Sequence, residues 1–450
     1  MNRSKTEIFY TYLLILIAFS GLYLFWPGVL AKDSAVQYTE AITNIYSDHH
    51  PPLMSLYWHY LNKIIPGPGL MWLTHVLLLF SSMFLFYRCF YHSWVRFWFL
   101  LLPFLPQVAA YTLMVVKDAG FAYSYLLVLA IFAWLQLNPK TKFKNLLLLC
   151  CGILLFYGTA VKYQAKFILP LYTSYLLYIY YAKFNKVILL KSLVASGLIL
   201  FSIFLLNNWL VLEQNKNHSW QLVKLYDLAA ISLAVDNEIL PEYIKHHPNY
   251  SFAQLKQKFD PREVNSLVFG QAPILVTTHN AQELSSLYSL WWSTILQYPM
   301  PYLHHRAQVF SYNLTTSAAQ YSSPLSYFNN TKFEHLIAKP KIFAGLNYIF
   351  NLLKSAMQYI WLLPLNFLYL YLAIKTLSSY RLSGILLLSN VTVIIYLLSL
   401  FFFSMAGTAR YVFICMLLTH ISHPLAWSAF ANYVESLMGK IAFNTRVIYY

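Results

Sequence analysis

The chain has 450 residues, of which 59% are hydrophobic and 10% charged, a formal net charge of +16 and a mean hydropathy of +0.52. A soluble domain carries about one quarter of its residues as charges, so a fully water-facing surface is excluded. The surplus of 31 Lys and Arg over 15 acids sits in short loops between apolar stretches, which makes it an orientation signal and not a nucleic-acid footprint.

The first apolar stretch, near 8–27, follows Asn2-Arg3-Ser4-Lys5 and precedes no convincing small-residue cleavage site, so a retained span is expected instead of a signal peptide. Further spans are predicted near 69–87, 97–116, 119–137, 145–161, 166–182, 187–207, 356–374, 383–404 and 411–430. The expected fold class is therefore an all-α polytopic membrane protein with about ten transmembrane helices. It divides into an N-terminal bundle (1–207), a large outer-face segment (208–345) and C-terminal helices with a tail (346–450). With the N-terminus in the cytoplasm, Arg88/Arg96, Lys140/Lys142/Lys144, Lys183/Lys186/Lys191, Lys375/Arg381 and the tail residues Lys440 and Arg446 all fall inside. Both termini are expected in the cytoplasm, and compact loops with few glycan or disulfide signals favour a bacterial inner membrane over the endoplasmic reticulum. Cys89, Cys150, Cys151 and Cys415 lie in or beside spans and read as small buried hydrophobes.

The loop 28–68 holds three carboxylates, Asp33, Glu40 and Asp48, beside a bilayer where a charge is costly unless it serves chemistry or ions. Ser34-x-x-Gln37 has the form of a capping box, which predicts a helix start there. Tyr38, Ala41, Ile42 and Ile45 then share one face, and Gln37, Glu40 and Asn44 another. This helix is expected to lie in the interface with its apolar side down. Pro51-Pro52 suits the first turn of a second helix through Leu53, Leu56, Tyr57 and Tyr60. A carboxylate at headgroup depth, Asp33 above all, can take a proton from an acceptor hydroxyl as general base; the plainer reading is that Asp33 caps a helix and Asp48 a turn. Gln37 and Glu40 are candidate substrate contacts. Asp48, His49 and His50 could ligate a divalent metal, although adjacent histidines diverge; otherwise His50 orients Asp33 or the acceptor. No other cofactor is implied.

Lys117-Asp118 and Lys162 interrupt apolar sequence at outer span ends. Each can bind or orient a donor phosphate, or can be a salt-bridged turn and a snorkelling lysine. The long segment is expected to contain its own helices, with Asp227-Leu228-Ala229-Ala230-Ile231 and Trp291-Trp292 on pieces lying at the membrane surface and the tryptophans as anchors. Arg306 and Arg410 offer the planar fork that matches phosphate, or else cap helices and pair with lipid headgroups.

At these residues the chain resembles the integral-membrane glycosyltransferases of the C-type superfamily, relatives of protein mannosyltransferases and aminoarabinose transferases. The likeness rests on a first span ending in Asp33, on Gln37-Tyr38-x-x-Ala41 and on Tyr46-Ser47-Asp48-x-His50-Pro51-Pro52-Leu53. Lys117-Asp118, Tyr298-Pro299-x-x-Tyr302-Leu303-x-x-Arg306 and Arg410-Tyr411 complete it. The resemblance implies a polyprenyl-phosphate-linked sugar donor and transfer on the periplasmic or luminal face to a glycan, lipid or protein acceptor. It puts Asp33 in the place of the catalytic base and Tyr411 beside Arg410 at the substrate. Many such proteins carry a second acid next to the first, but here Lys32 and Ser34 flank Asp33, which departs from a two-carboxylate metal site. The alternative from another class is a polytopic transporter or flippase, which would show acids and broken helices near mid-bilayer and matching halves.

Overall fold

The structure, a computed structural model, describes residues 26–90, 93–316 and 351–447, together with the isolated positions 12, 16, 345, 348 and 349. The predicted span 8–27 and the stretch 317–344 therefore lie almost wholly outside the described residues.

Among the described residues the chain is mostly helical. A two-residue strand β1 (Val29–Leu30) leads into a short hairpin of α1 (Lys32–Thr43) and α2 (Leu53–Ile64). Then come α3 (Gly69–Cys89), a second short strand β2 (Met114–Val115), α4 (Lys117–Leu137), α5 (Lys144–Val161), α6 (Leu169–Tyr181) and α7 (Lys186–Leu210). The long segment supplies α8 (Gln221–Val235), α9 (Ala281–Gln297) and α10 (Pro299–Thr315). The chain closes with α11 (Leu363–Lys375), α12 (Ser383–Phe403) and α13 (Phe413–Val447).

Six of these helices, α3, α4, α5, α7, α12 and the Phe413–Ser436 part of α13, are long and apolar enough to cross a membrane. Three predicted spans take a different form. The stretch 97–116 is broken into short turns over Trp94–Phe104 and a helix over Pro106–Thr112, because Pro103 and Pro106 lack the N–H groups a continuous helix needs. It still traverses the bundle: Trp94 packs on Trp427 at 6.3 Å and Tyr111 on Phe413 at 4.1 Å, two sites about 21 Å apart along α13 at helical rise. The spans expected at 166–182 and 356–374 are 13-residue helices, α6 and α11, each with proline in its first turn and a short 3-10 turn ahead of it.

Two hydrophobic clusters organise the chain. The larger joins the N-terminal helices to α11, α12 and α13, so the first and last membrane parts share one core. The smaller holds α8, α9 and α10 together and forms a unit at one end of the bundle. The surface-lying pieces expected in this segment are helical, as anticipated, but Asp227, Leu228, Ala229 and Ile231 are fully buried. Trp291 is buried too and donates through Nε1 to Asp227 Oδ2 at 2.9 Å, while Trp292 is exposed. The anchor reading therefore fails for Trp291, whose indole N–H satisfies a buried carboxylate.

A parallel pairing of β1 with β2 fixes the entry to the site. Val29 lies opposite Met114 and Leu30 opposite Val115. Gly28 makes the turn into β1 at φ +86°, and a Cβ there would come within 2.6 Å of the Trp72 indole, so both the backbone angle and the space call for glycine. The strand pair then sets the rotation of α1. Gln37 and Glu40 turn inward, whereas Ile42 and Ile45 are 49% and 59% exposed. This reverses part of the expected orientation: Tyr38 and Ala41 are buried, but Gln37 and Glu40 of the polar face point into the protein as well, and only Asn44 of that face is exposed. The expected capping box does not form either. The helix starts at Lys32 with no side-chain cap, and the Ser34 hydroxyl donates instead to the Val115 carbonyl on β2.

Candidate functional site

Strand pairing places the first turn of α1 beside the first turn of α4, so Asp33 meets Lys117 although 84 residues separate them in the chain. Asp33 Oδ2 lies 2.8 Å from Arg410 Nη1, just before α13, and 3.5 Å from Lys117 Nζ. Lys117 Nζ donates to His50 Nδ1 at 2.5 Å, which leaves the second imidazole nitrogen to carry the proton of the neutral ring. Behind this group, Lys162 Nζ donates to Asp118 Oδ1 at 2.5 Å and sits 4.4 Å from the centre of the Tyr411 ring. The side chains of Asp33 and Arg410 are 22% and 28% exposed, while Lys162 and Asp118 are 3% exposed. The reachable pair is Asp33–Arg410; Lys162–Asp118 is a closed one.

Glu40, two turns along α1 from Asp33, is also drawn in. It accepts from the Ser47 hydroxyl at 2.7 Å and backbone N–H at 3.1 Å, and from the Ser55 hydroxyl at 2.7 Å. Between Asp33 and Glu40 on the same face is Gln37, fully buried. Both atoms of its amide, like Asp118 Oδ2, have no hydrogen-bond partner among the described residues. Buried polar atoms are nearly always paired, so this cluster has unused capacity for the polar groups of a ligand.

Burial by itself would raise the Asp33 carboxyl, but the Arg410 guanidinium and then Lys117 outweigh it and hold Asp33 well below the usual carboxylate range. Asp33 is an anion under any ordinary condition. Its contribution to stability is present above the ordinary aspartate range and is lost only as pH falls through the depressed value. Burial pushes Glu40 up toward its neutral form, against the Ser47 and Ser55 hydrogen bonds. Burial first, and the Lys117 charge second, push His50 well below the usual imidazole range. Three cations, Lys117, Lys162 and Arg410, thus converge on two acids, the ionised Asp33 and Asp118: a setting suited to an added anion.

A pH prediction follows from His50. The unfolded chain takes up a proton near the ordinary imidazole value of about 6.5, while the folded chain does not. Stability is then retained above that value and declines below it, by up to about 1.4 kcal/mol per pH unit for this group. Thermal midpoints at pH 7.5 and 5.5 should differ more for the unaltered chain than for His50→Gln; equal differences would remove His50 as the source.

Not every predicted residue joins the cluster. Arg306, expected to clamp phosphate, is fully buried in the unit of α8, α9 and α10. Its Nη2 lies 2.5 Å from Asp227 Oδ1, and its Nη1 donates to the Ser404 carbonyl at 2.7 Å. It holds that unit to the end of α12 and touches none of the cluster. Asp48 also faces elsewhere: its carboxylate accepts the backbone N–H groups of Asn217, at 2.5 Å, and His218, at 2.9 Å. With His50 turned to Lys117, these two side chains do not converge on one metal. Among the described residues, no group of three or more His, Cys, Asp or Glu side chains is placed to hold a metal ion. Asp48 is a latch between the first loop and the long segment. Asp48→Ala is expected to cost about 1–2 kcal/mol and to speed amide exchange at 217 and 218; unchanged exchange there would remove the latch.

Two parts of the site were missed in the sequence, the Ser47 and Ser55 hydroxyls on Glu40 and the strand pairing that joins Asp33 to Lys117. Ser47 sits in the singled-out motif beside Asp48 and could have been drawn in with it; a two-residue strand leaves no periodicity to find. The chain matches no family model, no curated protein and no solved structure.

Proposed function

We propose that the chain is a multi-pass membrane glycosyltransferase of the kind it resembles, moving a sugar from a polyprenyl-phosphate donor to an acceptor hydroxyl at the outer membrane face. The carrying observation is the contact of Asp33 with both Arg410 and Lys117, at a helix-end cluster with spare cationic charge. Donor phosphate competes with Asp33 for the two cations. Once they turn to the phosphate, the carboxylate loses the partners that suppress its basicity and becomes able to accept a proton. The acceptor O–H then gives its proton to Asp33 and its oxygen bonds to the anomeric carbon. The bond from that carbon to the phosphate oxygen breaks, and Arg410, Lys117 and, behind them, Lys162 stabilise the charge gained by the leaving phosphate.

The outer-face assignment rests on the loops. Arg88, Lys140 to Lys144, Lys183 to Lys191 and Lys375 to Arg381 lie in the end turns of helices or in the loops between them, at the ends of α3, α4, α5, α7 and α11 opposite the cluster, which by the positive-inside rule is the cytoplasmic end. A bacterial inner membrane with cytoplasmic termini is the location this favours. The transporter alternative has the broken traverse over 94–112 in its favour, but none of the clustered charges lies on it.

The test is transfer of labelled sugar from a synthetic polyprenyl-phosphate donor by the full chain in lipid nanodiscs. Release or transfer of the label supports the reading, and inert donor across a panel of hexosyl and pentosyl phospholipids would sink it.

A further inference from the structure

A groove of about 520 Å³ opens along the seam between the first loop and the long segment. It lies within the range of roughly 300–1,000 Å³ typical of small-molecule sites. Its lining mixes polar groups, from Ser47, His49, Asn217, Ser219 and Thr277, with apolar side chains that include Phe269. No Lys, Arg, Asp or Glu lines it. That composition supplies no formal charge to offset a phosphate or pair with a charged peptide, and a single imidazole is too few ligands to hold a metal. A neutral polyol is what hydroxyl, amide and imidazole groups interspersed with apolar side chains and one aromatic ring would hold: the polar groups take the hydroxyls of a sugar and the apolar ones its C–H face.

The groove is wired to the cluster at two points. Ser47, in its wall, donates its hydroxyl to Glu40. His49, also in its wall, has its ring 4.6 Å from that of His50, which accepts from Lys117. The far side of the groove is held in place by the Asp48 latch on Asn217 and His218. A molecule seated there would touch Ser47 and His49, each one contact away from the cluster, at Glu40 and at His50.

We infer that this groove is the acceptor site and that the acceptor is a neutral glycan, not a phospholipid or a polypeptide. The inference rests on the proposed transferase activity for the word acceptor, but the binding of a glycan in the groove stands independently of it. The transfer step keeps the balance already given: the glycan hydroxyl loses its proton to Asp33, its oxygen bonds to the anomeric carbon, and the lipid phosphate departs.

The experiment uses the full chain in nanodiscs with malto-, cello- and chitotetraose as probes, read by saturation-transfer NMR. At least one of them should bind, and Thr277→Trp, which puts an indole into the groove from its lining, should weaken that binding about tenfold or more. Thr277→Val, which removes only the hydroxyl, serves as the milder variant, and an unchanged thermal midpoint marks each variant as folded. Presenting the bound tetrasaccharide on a polyprenyl diphosphate separates two sources: tighter binding in that form assigns a lipid-carried glycan, equal binding a soluble one. Absence of binding by all three probes in both forms, or binding that both variants leave intact, overturns the inference. Glycan binding in the groove without any sugar transfer would sink the transferase reading and spare the groove. Transfer to a peptide or lipid acceptor, insensitive to Thr277→Trp, would do the reverse.

Discussion

Asp33→Asn is expected to slow sugar transfer by about 10²- to 10⁴-fold while leaving donor affinity equal or tighter. The split follows from geometry. The Asp33 carboxylate occupies Arg410 at 2.8 Å and Lys117 at 3.5 Å, so it competes with the donor phosphate for the same cations. Asparagine keeps the shape, removes the charge and frees both cations, which then have the phosphate as their anionic partner. Binding gains, but the proton acceptor is gone. A structural role for Asp33 predicts something else: loss of the anion would disorder two partly buried cations and lower both affinity and rate. Arg410→Gln should show the opposite split, with KM for the donor raised. Initial rates over a range of donor concentrations, for the two single variants and the double, read the difference directly. A wild-type rate from Asp33→Asn would remove the base assignment.

The sequence made charge legible and geometry not. Asp33, Lys117, Asp118, Lys162 and Arg410 stood out because each interrupts apolar sequence at the end of a span, and the structure brings all five together. The same signal misplaced Arg306. An arginine beside late spans looks alike whether it faces a ligand or a buried partner, and its partner Asp227 lies 79 residues away on α8. Asp48 was misleading for a related reason, since its partners are backbone N–H groups that no side-chain pattern announces. The six long helices were readable from length and hydropathy, whereas Pro103 and Pro106 break the predicted span 97–116 inside an apolar run whose hydropathy alone looks continuous. The polar face of α1 was identified, but whether it turned inward or outward depended on a strand pair too short to leave a pattern.

Arg306→Met is expected to destabilise the chain by about 3–5 kcal/mol, the usual cost of leaving one member of a buried ion pair without the other. Asp227 would keep only the Trp291 indole as a close donor, with His305 Nε2 at 3.6 Å, in a site where burial already pushes its carboxyl upward. The loss is local in origin and long in reach, because Arg306 also donates to the Ser404 carbonyl at the end of α12. Two backbone bonds, Val264 N–H to Met405 at 3.0 Å and Gly407 N–H to Arg262 at 2.6 Å, tie the same seam just ahead of Arg410. Loosening that seam should therefore be felt at Arg410 and appear as weakened donor binding, although Arg306 never touches the cluster. Replacing both partners, Asp227→Leu with Arg306→Met, removes the unpaired charge and should recover most of the stability but not the tie to Ser404. Thermal midpoints and amide exchange across 404–410 separate the two effects. A double variant as unstable as Arg306→Met alone would mean that the pair acts through something other than charge compensation.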